Sequence, residues 1–169
     1  MTAKQEYAIE SLFGEPASID LVDHIPHCRY LGIEMVSAWP REATARVPYR
    51  EELVGDPSRG VVFGGVITTL IDQTCGVATL CSLEELAAIA TIDLRIDYLR
   101  AAEPGLDLVC RAECYKLTKH VAFLRAVAFD RSIDDPFAST VGTFMVGANP
   151  TEQPLKKLAE ERIRAAGRK

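Results

Sequence analysis

The segment 64–82 has the periodicity of an α-helix but contains a single charged side chain, that of Asp72. Its apolar residues recur at intervals of three and four, and the positions between them are small or uncharged. A helix with so little polar surface is stable only when most of it is buried. The segment therefore predicts one long helix enclosed by the rest of the fold. Its apolar face consists of Ile67, Leu70, Ile71, Thr74, Val77, Ala78 and Cys81.

The opposite side of this helix is a stripe of small and polar residues that includes the lone carboxylate. Residues three and four apart lie above one another on a helix. An unpaired carboxylate inside a protein is costly, so Asp72 is a candidate functional residue. The alternative is a structural role, in which Asp72 is bonded to a neighbouring backbone group or threonine. The stripe consists of Gly65, Thr68, Thr69, Asp72, Gly76 and Thr79.

Alternating apolar and polar residues predict strands on both sides of the helix. Two short strands precede it, over 33–36 and 42–47, with an interruption at Trp39-Pro40. Short connections between strands imply antiparallel pairing, and one sheet against one helix gives each apolar surface a partner. The predicted fold is of the α+β class, a six-stranded antiparallel sheet wrapped around the helix. The four longer strands that follow the helix are expected over 91–98, 106–115, 121–129 and 137–146.

The remaining segments are expected to extend this core without adding a second domain. The length of 169 residues fits one domain over 1–169, with its core at 31–147. Helices over 3–13 and 18–30 are expected in an N-terminal extension, and a polar helix is expected over 151–167. The segment 48–62 is rich in glycine and proline and predicts a long loop, a kind of segment that is often functional.

Composition argues against several classes of function. The net charge is −5 and basic residues do not cluster, which argues against a nucleic-acid partner. No apolar run is long enough to span a bilayer, and the first residues lack the apolar region of a secretory signal. A cytoplasmic protein is therefore expected. The five cysteines and three histidines show neither CxxC nor zinc-site spacing, which predicts reduced thiols and no metal.

A short motif of two glycines, a leucine and an aspartate opens the predicted helix. Gly64 and Gly65 are followed by Leu70 and, two positions later, by Asp72. This spacing resembles the signature of hotdog-fold acyl-CoA thioesterases, especially the phenylacetate-pathway and 4-hydroxybenzoyl-CoA thioesterase-like group. The resemblance extends over about 31–146. It implies a hotdog fold, an acyl-CoA substrate, and no cofactor besides the coenzyme A of that substrate.

The resemblance implies roles for residues at both ends of the motif. In the family, a backbone amide at the helix start polarises the thioester carbonyl, and the aspartate acts as general base or nucleophile. Here these residues are Gly64 and Asp72. The first amides of any helix lack internal partners and carry partial positive charge, so they suit an oxyanion hole. Gly65 lets the substrate approach the backbone closely; the alternative is that both glycines only permit a tight turn.

Further residues are expected around the substrate. Thr91 matches a family position where a hydroxyl orients the attacking water, and an ordinary strand threonine is the equal alternative. Gln73 adjoins Asp72 and is a candidate for the pocket lining. Lys119 and His120, at a predicted hairpin tip, are the favoured partners of the coenzyme A phosphates. The other basic candidates are Arg59, Arg95, Arg100 and Lys116.

Two positions depart from the family pattern. Phe63 stands where the family has a His before the two glycines, which makes the predicted pocket entrance more apolar. Some members place an Asn in the preceding loop, near Asp56 or Pro57, and no Asn stands there. Asp56 is then the polar candidate for the substrate at this point. These departures favour the alternative function, a protein that binds or senses acyl-CoA without hydrolysing it. A hotdog dehydratase is disfavoured because no His precedes the helix.

The spacing of the two main site residues predicts an assembly. Gly64 and Asp72 are eight residues apart, which is about 12 Å along a helix. The attacking group has to come within roughly 3.5 Å of a carbonyl held by the Gly64 amide. One helix cannot supply both groups, so the site is expected to combine Gly64 of one subunit with Asp72 of another. The family resemblance implies the same arrangement in a homodimer, and pairing of two dimers into a homotetramer is expected.

Overall fold

The computed structural model describes Val22 and residues 25–85 and 87–147. The predicted helices over 3–13 and 151–167 lie outside the described residues. The extent of the domain beyond this core therefore stays a prediction. Within the described part of the chain, no helix combines the length and apolarity that a membrane crossing requires.

Two α-helices are described, and the first is shorter than expected. Helix α1 spans Pro26–Leu31 and ends at Gly32, whose φ of 71° is the left-handed conformation common after a helix. The prediction of a helix over 18–30 is wrong at Ile25, which is extended with φ −92° and ψ 111°. The physical reason is Pro26, because a proline disfavours the helical conformation of the residue before it. Helix α2 spans Gly64–Leu80, two residues shorter than predicted.

The six-stranded antiparallel sheet predicted from sequence is confirmed. Its strands lie in the order β1-β2-β6-β7-β8-β5, and every neighbouring pair is antiparallel. The turn between the first two strands is Pro40-Arg41 rather than Trp39-Pro40, since Trp39 still pairs with Glu42. The strands are β1 (Glu34–Trp39), β2 (Glu42–Val47), β5 (Ile89–Tyr98), β6 (Leu108–Leu117), β7 (Val121–Phe129) and β8 (Ala138–Val146).

The segment predicted as a long loop has regular structure of its own. A 3₁₀ turn at Glu51–Leu53 leads into a small two-stranded sheet, β3 (Val54–Asp56) and β4 (Val61–Val62). The prediction of a loop over the whole segment is wrong at these two short strands, which pair with each other instead of with the main sheet. The hairpin delivers the chain to the start of α2, where the amide of Phe63 donates to the carbonyl of Leu53 at 2.8 Å.

The core lies between α2 and the concave face of the sheet. Alternate residues of β6, β7 and β8 are buried against the helix, which is the period of two that a half-buried strand requires. On the helix, the predicted apolar face is buried. The small-residue stripe is open to solvent or half-buried from Gly64 to Gly76, but Thr79 is fully buried. The stripe is therefore shorter than the sequence suggested.

Candidate active site

The carboxylate of Asp72 is half-buried on the open side of α2 and has a defined partner on the sheet. The hydroxyl of Thr91 on β5 donates to its Oδ1 at 2.8 Å. The alternative considered from sequence, a bond to a nearby threonine, is thus observed, although the threonine comes from another element. The carboxylate remains partly open to solvent, and therefore it is still available to water or to a ligand.

Thr91 reaches Asp72 because of a β-bulge in β5. The register of β5 against β8 shifts between Thr91, opposite Phe144, and Asp93, opposite Thr143. The extra residue is Ile92, which is half exposed. A bulge re-aims side chains on the strand that carries it, and bulges are common beside active sites. Here the shift places Thr91 on the helix side of the sheet while Asp93 lies on the outer side.

The start of α2 presents two backbone amides that have no backbone acceptor among the described residues. Phe63 precedes the helix in an extended conformation, with no side-chain cap. The first amide with a recorded acceptor is that of Val66, which donates to the carbonyl of Phe63 at 3.0 Å. Within the described ranges, the N–H groups of Gly64 and Gly65 have no recorded backbone acceptor. These two donors, at the positive end of the helix dipole, can stabilise a developing negative charge.

Phe63, which replaces the family His, lies against two glycines. A methyl group at Gly65 would come within 2.5 Å of the Phe63 ring, and one at Gly55 within 2.9 Å of the Phe63 Cα. The absence of side chains at both positions is therefore what makes room for the ring. The ring is 62% exposed and forms an apolar surface beside the two free amides.

Tyr98, a residue that sequence reasoning did not assign to the site, contacts the same helix turn. Its hydroxyl lies 3.3 Å from the carbonyl oxygen of Gly64, to which it donates, and 3.4 Å from the hydroxyl of Thr68. Thr68 donates to the Gly64 carbonyl as well, at 3.1 Å. The alternation of β5 could have indicated this contact, because it places Tyr98 on the same face as Leu94 and Ile96.

Cys28 on α1 is a second neighbour that the sequence did not reveal. Its thiol is buried, and burial raises its pKa, with the nearby charge of Asp72 as the next cause. The negative charge of Asp72 is thus close enough to act on the α1 thiol.

Gly64 and Asp72 lie on one helix and are not brought together within the chain. They lie on the same side of α2, eight residues apart, which corresponds to about 12 Å along the helix axis. Gln73 is half-buried next to Asp72. The described chain thus contains the hydrogen-bonded pair Asp72–Thr91 near the middle of α2 and the two amides of Gly64 and Gly65 at its start.

The remaining predicted substrate contacts are spread more widely. The Asp56 carboxylate accepts from the Ser58 hydroxyl at 2.6 Å and from the Ser58 amide at 3.1 Å. These bonds hold the pKa of Asp56 below its ordinary value. Lys119 and His120 are exposed at the tip between β6 and β7. Because the carbonyl of His120 accepts from the Val146 amide, this tip lies at the end of the sheet where β5 begins, away from Gly64.

Two of the other basic candidates already have acidic partners. Arg95 is paired with Asp97 on β5 at 3.0 Å. Arg100 forms a two-pronged pair with Asp130, with distances of 2.8 and 2.7 Å. A phosphate would have to compete with these carboxylates, so Arg95 and Arg100 are weaker candidates than Lys119 for binding coenzyme A.

Comparisons with known proteins agree with this architecture. A profile described as "Thioesterase superfamily" matches residues 59–136. The chain is 40% identical over 80 residues to a putative esterase from Halobacterium salinarum. This match covers 46% of the chain and 53% of the relative, so the chain spans about half the length of that relative. It is 27% identical over 139 residues to the medium/long-chain acyl-CoA thioesterase YigI from Escherichia coli, with coverages of 75% and 88%.

A solved structure extends the similarity to the fold. A crystal structure of a protein from Pseudomonas aeruginosa matches with a TM-score of 0.67 at 43% identity, and the match covers 73% of this chain and 91% of that one. The family profile spans β4, α2 and the strands β5, β6 and β7. On the evidence of its sequence, its sheet and its central helix, the chain belongs to the thioesterase superfamily and has the hotdog fold.

Proposed function

We propose that the protein is an acyl-CoA thioesterase, which hydrolyses a thioester to a free acid and coenzyme A. The observation that carries this proposal is that one open side of α2 presents two kinds of group. These are the Asp72 carboxylate, which is hydrogen-bonded to Thr91, and the backbone amides at Gly64 and Gly65. The first group is suited to activating water, and the second to receiving the oxyanion. The name of the E. coli relative supports the same reaction.

In the proposed reaction, a water oxygen attacks the thioester carbonyl carbon while Asp72 accepts a proton from that water. The carbonyl oxygen becomes an oxyanion and accepts a hydrogen bond from the Gly64 amide. Collapse of the tetrahedral intermediate breaks the C–S bond and releases the coenzyme A thiolate, which takes up a proton. Direct attack by Asp72 through an anhydride gives the same products. Neither route requires a metal or a redox cofactor.

The site is proposed to lie between two subunits. A separation of about 12 Å between Gly64 and Asp72 along one helix is far beyond the roughly 3.5 Å at which reacting atoms must meet. Two α2 helices related by a twofold axis could bring the Gly64 of each chain to the Asp72 of the other. The supporting observations are the solvent-facing stripe on α2 and the open edge of β5 beside it. A homodimer is the minimal assembly, and two dimers could pair into a homotetramer.

The proposed substrate class is a coenzyme A thioester with an apolar acyl group. The exposed ring of Phe63 beside the free amides supports an apolar acyl group. A medium or long chain is favoured by the name of the E. coli relative. Lys119 and His120 are the proposed phosphate contacts. We further propose a cytoplasmic location, because all five cysteines are free thiols, as is usual in a reducing compartment.

The test uses one variant for each half of the site. Asp72→Asn should abolish release of thiol from a panel of acyl-CoA substrates while leaving the fold intact. Gly64→Pro removes the N–H alone, because proline is tolerated at the first position of a helix and Phe63 already has the extended conformation that proline requires. Gly64→Ala is the matched control, since it keeps the N–H and its methyl group would lie 3.6 Å from the Tyr98 hydroxyl.

Co-expression of the two inactive variants tests the shared site. In a mixed dimer, one site would contain both defects and the other neither. Random pairing should then restore about a quarter of the wild-type rate, since half of the dimers are mixed and each has one intact site. Hydrolysis by Asp72→Asn at the wild-type rate would refute the role of that carboxylate. An inactive mixture of the two folded variants would refute the site between subunits.

Phe63 favours one alternative, a protein that binds or senses acyl-CoA without hydrolysing it. The family has a His at this position, and here the position is apolar. This alternative predicts tight binding of acyl-CoA to the wild type with no release of free thiol. Binding measured by calorimetry on the substrate panel, together with thiol release on the same panel, separates the two functions. The Phe63→His variant then reports whether the aromatic side chain limits hydrolysis.

A further inference from the structure

Tyr98 holds the peptide group that joins Gly64 to Gly65. The carbonyl of Gly64 and the amide N–H of Gly65 belong to this one planar group and point in opposite directions. The carbonyl oxygen accepts from the Tyr98 hydroxyl at 3.3 Å and from the Thr68 hydroxyl at 3.1 Å. The N–H on the other side has no recorded backbone acceptor within the described residues. The peptide is therefore anchored at its oxygen and free at its nitrogen.

The two hydroxyls differ in what they imply. A threonine that bonds the carbonyl four residues earlier is common inside helices, and Thr69, Thr74 and Thr79 do the same in α2. Tyr98 is different, because it reaches the first turn of the helix from the end of another element, β5. Its ring is 52% exposed, so burial of the ring does not account for its position. The hydrogen bonds of its hydroxyl to the Gly64 carbonyl and to Thr68 are the polar contacts that hold Tyr98 at the helix start.

We propose that Tyr98 is a positioning residue that fixes and polarises the Gly64–Gly65 peptide, so that the Gly65 amide serves as a second oxyanion donor beside that of Gly64. This inference rests on the proposed thioesterase reaction and goes beyond it. Hydrogen bonds in a chain strengthen one another, so a donor at the carbonyl oxygen makes the N–H of the same peptide a better donor. When an oxyanion accepts from the Gly65 amide, the Tyr98 bond should shorten in turn.

The length of the observed bond is consistent with this role. A hydroxyl-to-oxygen bond is usually about 2.8 Å long, and the 3.3 Å between Tyr98 and the Gly64 carbonyl leaves room for contraction. Hydrogen bonds that support catalysis are often long in the free enzyme and tighten in the occupied site. A methyl group at Gly64 would lie 3.6 Å from the hydroxyl, an ordinary contact, so the Gly64→Ala control leaves the Tyr98 bond in place.

The test compares Tyr98→Phe with the same substitution at Tyr115. Tyr98→Phe removes only the hydroxyl and should lower kcat about tenfold with KM unchanged, less than the loss of a direct oxyanion donor. Tyr115 is a half-exposed tyrosine on β6, contacting Phe123 and Arg125 on the neighbouring strand, and Tyr115→Phe should leave both constants unchanged. Thr68→Val removes the second donor to the same carbonyl and should lower kcat further when combined with Tyr98→Phe.

A spectroscopic measurement separates positioning from a general effect on the fold. In the Asp72→Asn background, a bound acyl-CoA with a ¹³C-labelled carbonyl should show a lowered carbonyl stretching frequency, because the amides polarise it. Adding Tyr98→Phe should reduce that shift, whereas adding Tyr115→Phe should not. A wild-type kcat in Tyr98→Phe, or a rise in KM alone, would overturn the positioning role. Absence of hydrolysis by the wild type would overturn the proposed function, and this inference with it.

Discussion

The hydroxyl of Thr91 lies 2.8 Å from a carboxylate oxygen of Asp72 and joins edge strand β5 to the central helix. This hydrogen bond occupies one carboxylate oxygen and leaves the other for a water molecule. It also restrains the orientation of the Asp72 carboxylate. The bulge at Ile92 makes this bond possible. In a regular strand Thr91 and Asp93 would lie on the same, outer face, and Thr91 would point away from the helix.

Removal of the Thr91 hydroxyl should slow hydrolysis without preventing folding. Thr91→Val keeps the shape and the strand preference of the side chain, so kcat should fall about tenfold because the carboxylate is less well oriented. Thr91→Ser restores a hydroxyl and should recover most of the rate. The measurement is steady-state thiol release on the best acyl-CoA of the panel. Equal rates for the valine variant and the wild type would show that the bond is only structural.

Asp130 should be a major contributor to stability although it lies outside the proposed site. Its side chain is 0% exposed, and its carboxylate accepts two bonds from Arg100 and two from the amides of Glu103 and Arg131. Asp130→Asn should lower the free energy of unfolding by about 2–3 kcal/mol, because it leaves the Arg100 guanidinium without its main partner. Asp135→Asn is the control, since Asp135 is 78% exposed and lies 3.4 Å from the same guanidinium.

The contribution of Asp130 should depend on pH in one direction. The bonds from Arg100 hold the pKa of Asp130 well below its ordinary value. A carboxyl whose pKa is lower in the folded state stabilises the protein above its unfolded pKa, about 3.9, and loses that contribution as the pH falls. The difference between wild type and Asp130→Asn in denaturant unfolding should be constant between about pH 5 and 7 and shrink below about pH 4. A difference that grew on acidification would contradict this assignment.

Two glycine-to-alanine substitutions should have opposite effects on stability. A methyl group at Gly142 on β8 would lie 3.0 Å from the Leu94 side chain and 3.2 Å from the Asp93 carbonyl oxygen. Backbone has to move there, so Gly142→Ala should cost about 1–3 kcal/mol. A methyl group at Gly76 on α2 would make only ordinary contacts, 3.7 Å from Ile89 and 3.8 Å from Phe144.

Gly76→Ala should therefore raise the free energy of unfolding by up to about 1 kcal/mol, because alanine is the better helix former. Both values come from urea unfolding of the two variants beside the wild type. A Gly142→Ala variant as stable as the wild type would show that β5 can shift away from β8 at its bulge without cost.

The thiols should be unreactive in the folded protein. All five are buried, and burial raises the pKa of Cys81 and of Cys110 to about 12. Since the thiolate is the reactive form, a disulfide reagent at pH 8 should react with all five thiols only after denaturation. Rapid reaction of one thiol in the native protein would identify a local opening, and Cys28 on the short helix α1 is the position to examine by mass spectrometry.

The architecture could be predicted because two periods are present in the sequence. The three-to-four spacing around Ile67, Leu70 and Ile71 predicts α2, and the alternation after Thr91 predicts the strands that cover it. Burial of the first face and antiparallel pairing of the strands then follow from the need to cover apolar surface. The same spacing predicted that Asp72 lies among small residues, but it did not predict that Asp72 is only half-buried while Thr79 is fully buried.

The parts that could not be predicted depend on contacts between distant segments. The bulge at Ile92 has no signature in an alternating pattern, and it decides that Thr91 faces Asp72. The reach of Tyr98 to the Gly64 carbonyl depends on how β5 lies beside α2. The pairing of β3 with β4 involves strands too short to have a period. The start of α1 could have been predicted, because Pro26 restricts the backbone of Ile25. The apolar spacing before Pro26 favoured a longer helix instead.

The outer edge of β5 has implications for how the protein behaves at low concentration. This strand pairs with β8 on one side only, over Ile89–Tyr98, and most of its residues are exposed. If this edge closes against a second subunit, as proposed, each chain becomes competent only after a bimolecular encounter. Specific activity should then fall on dilution below the dissociation constant of the dimer, and recover on concentration. Enzyme made at very low levels in a cell would remain largely dormant, so abundance itself would act as a threshold for hydrolysis.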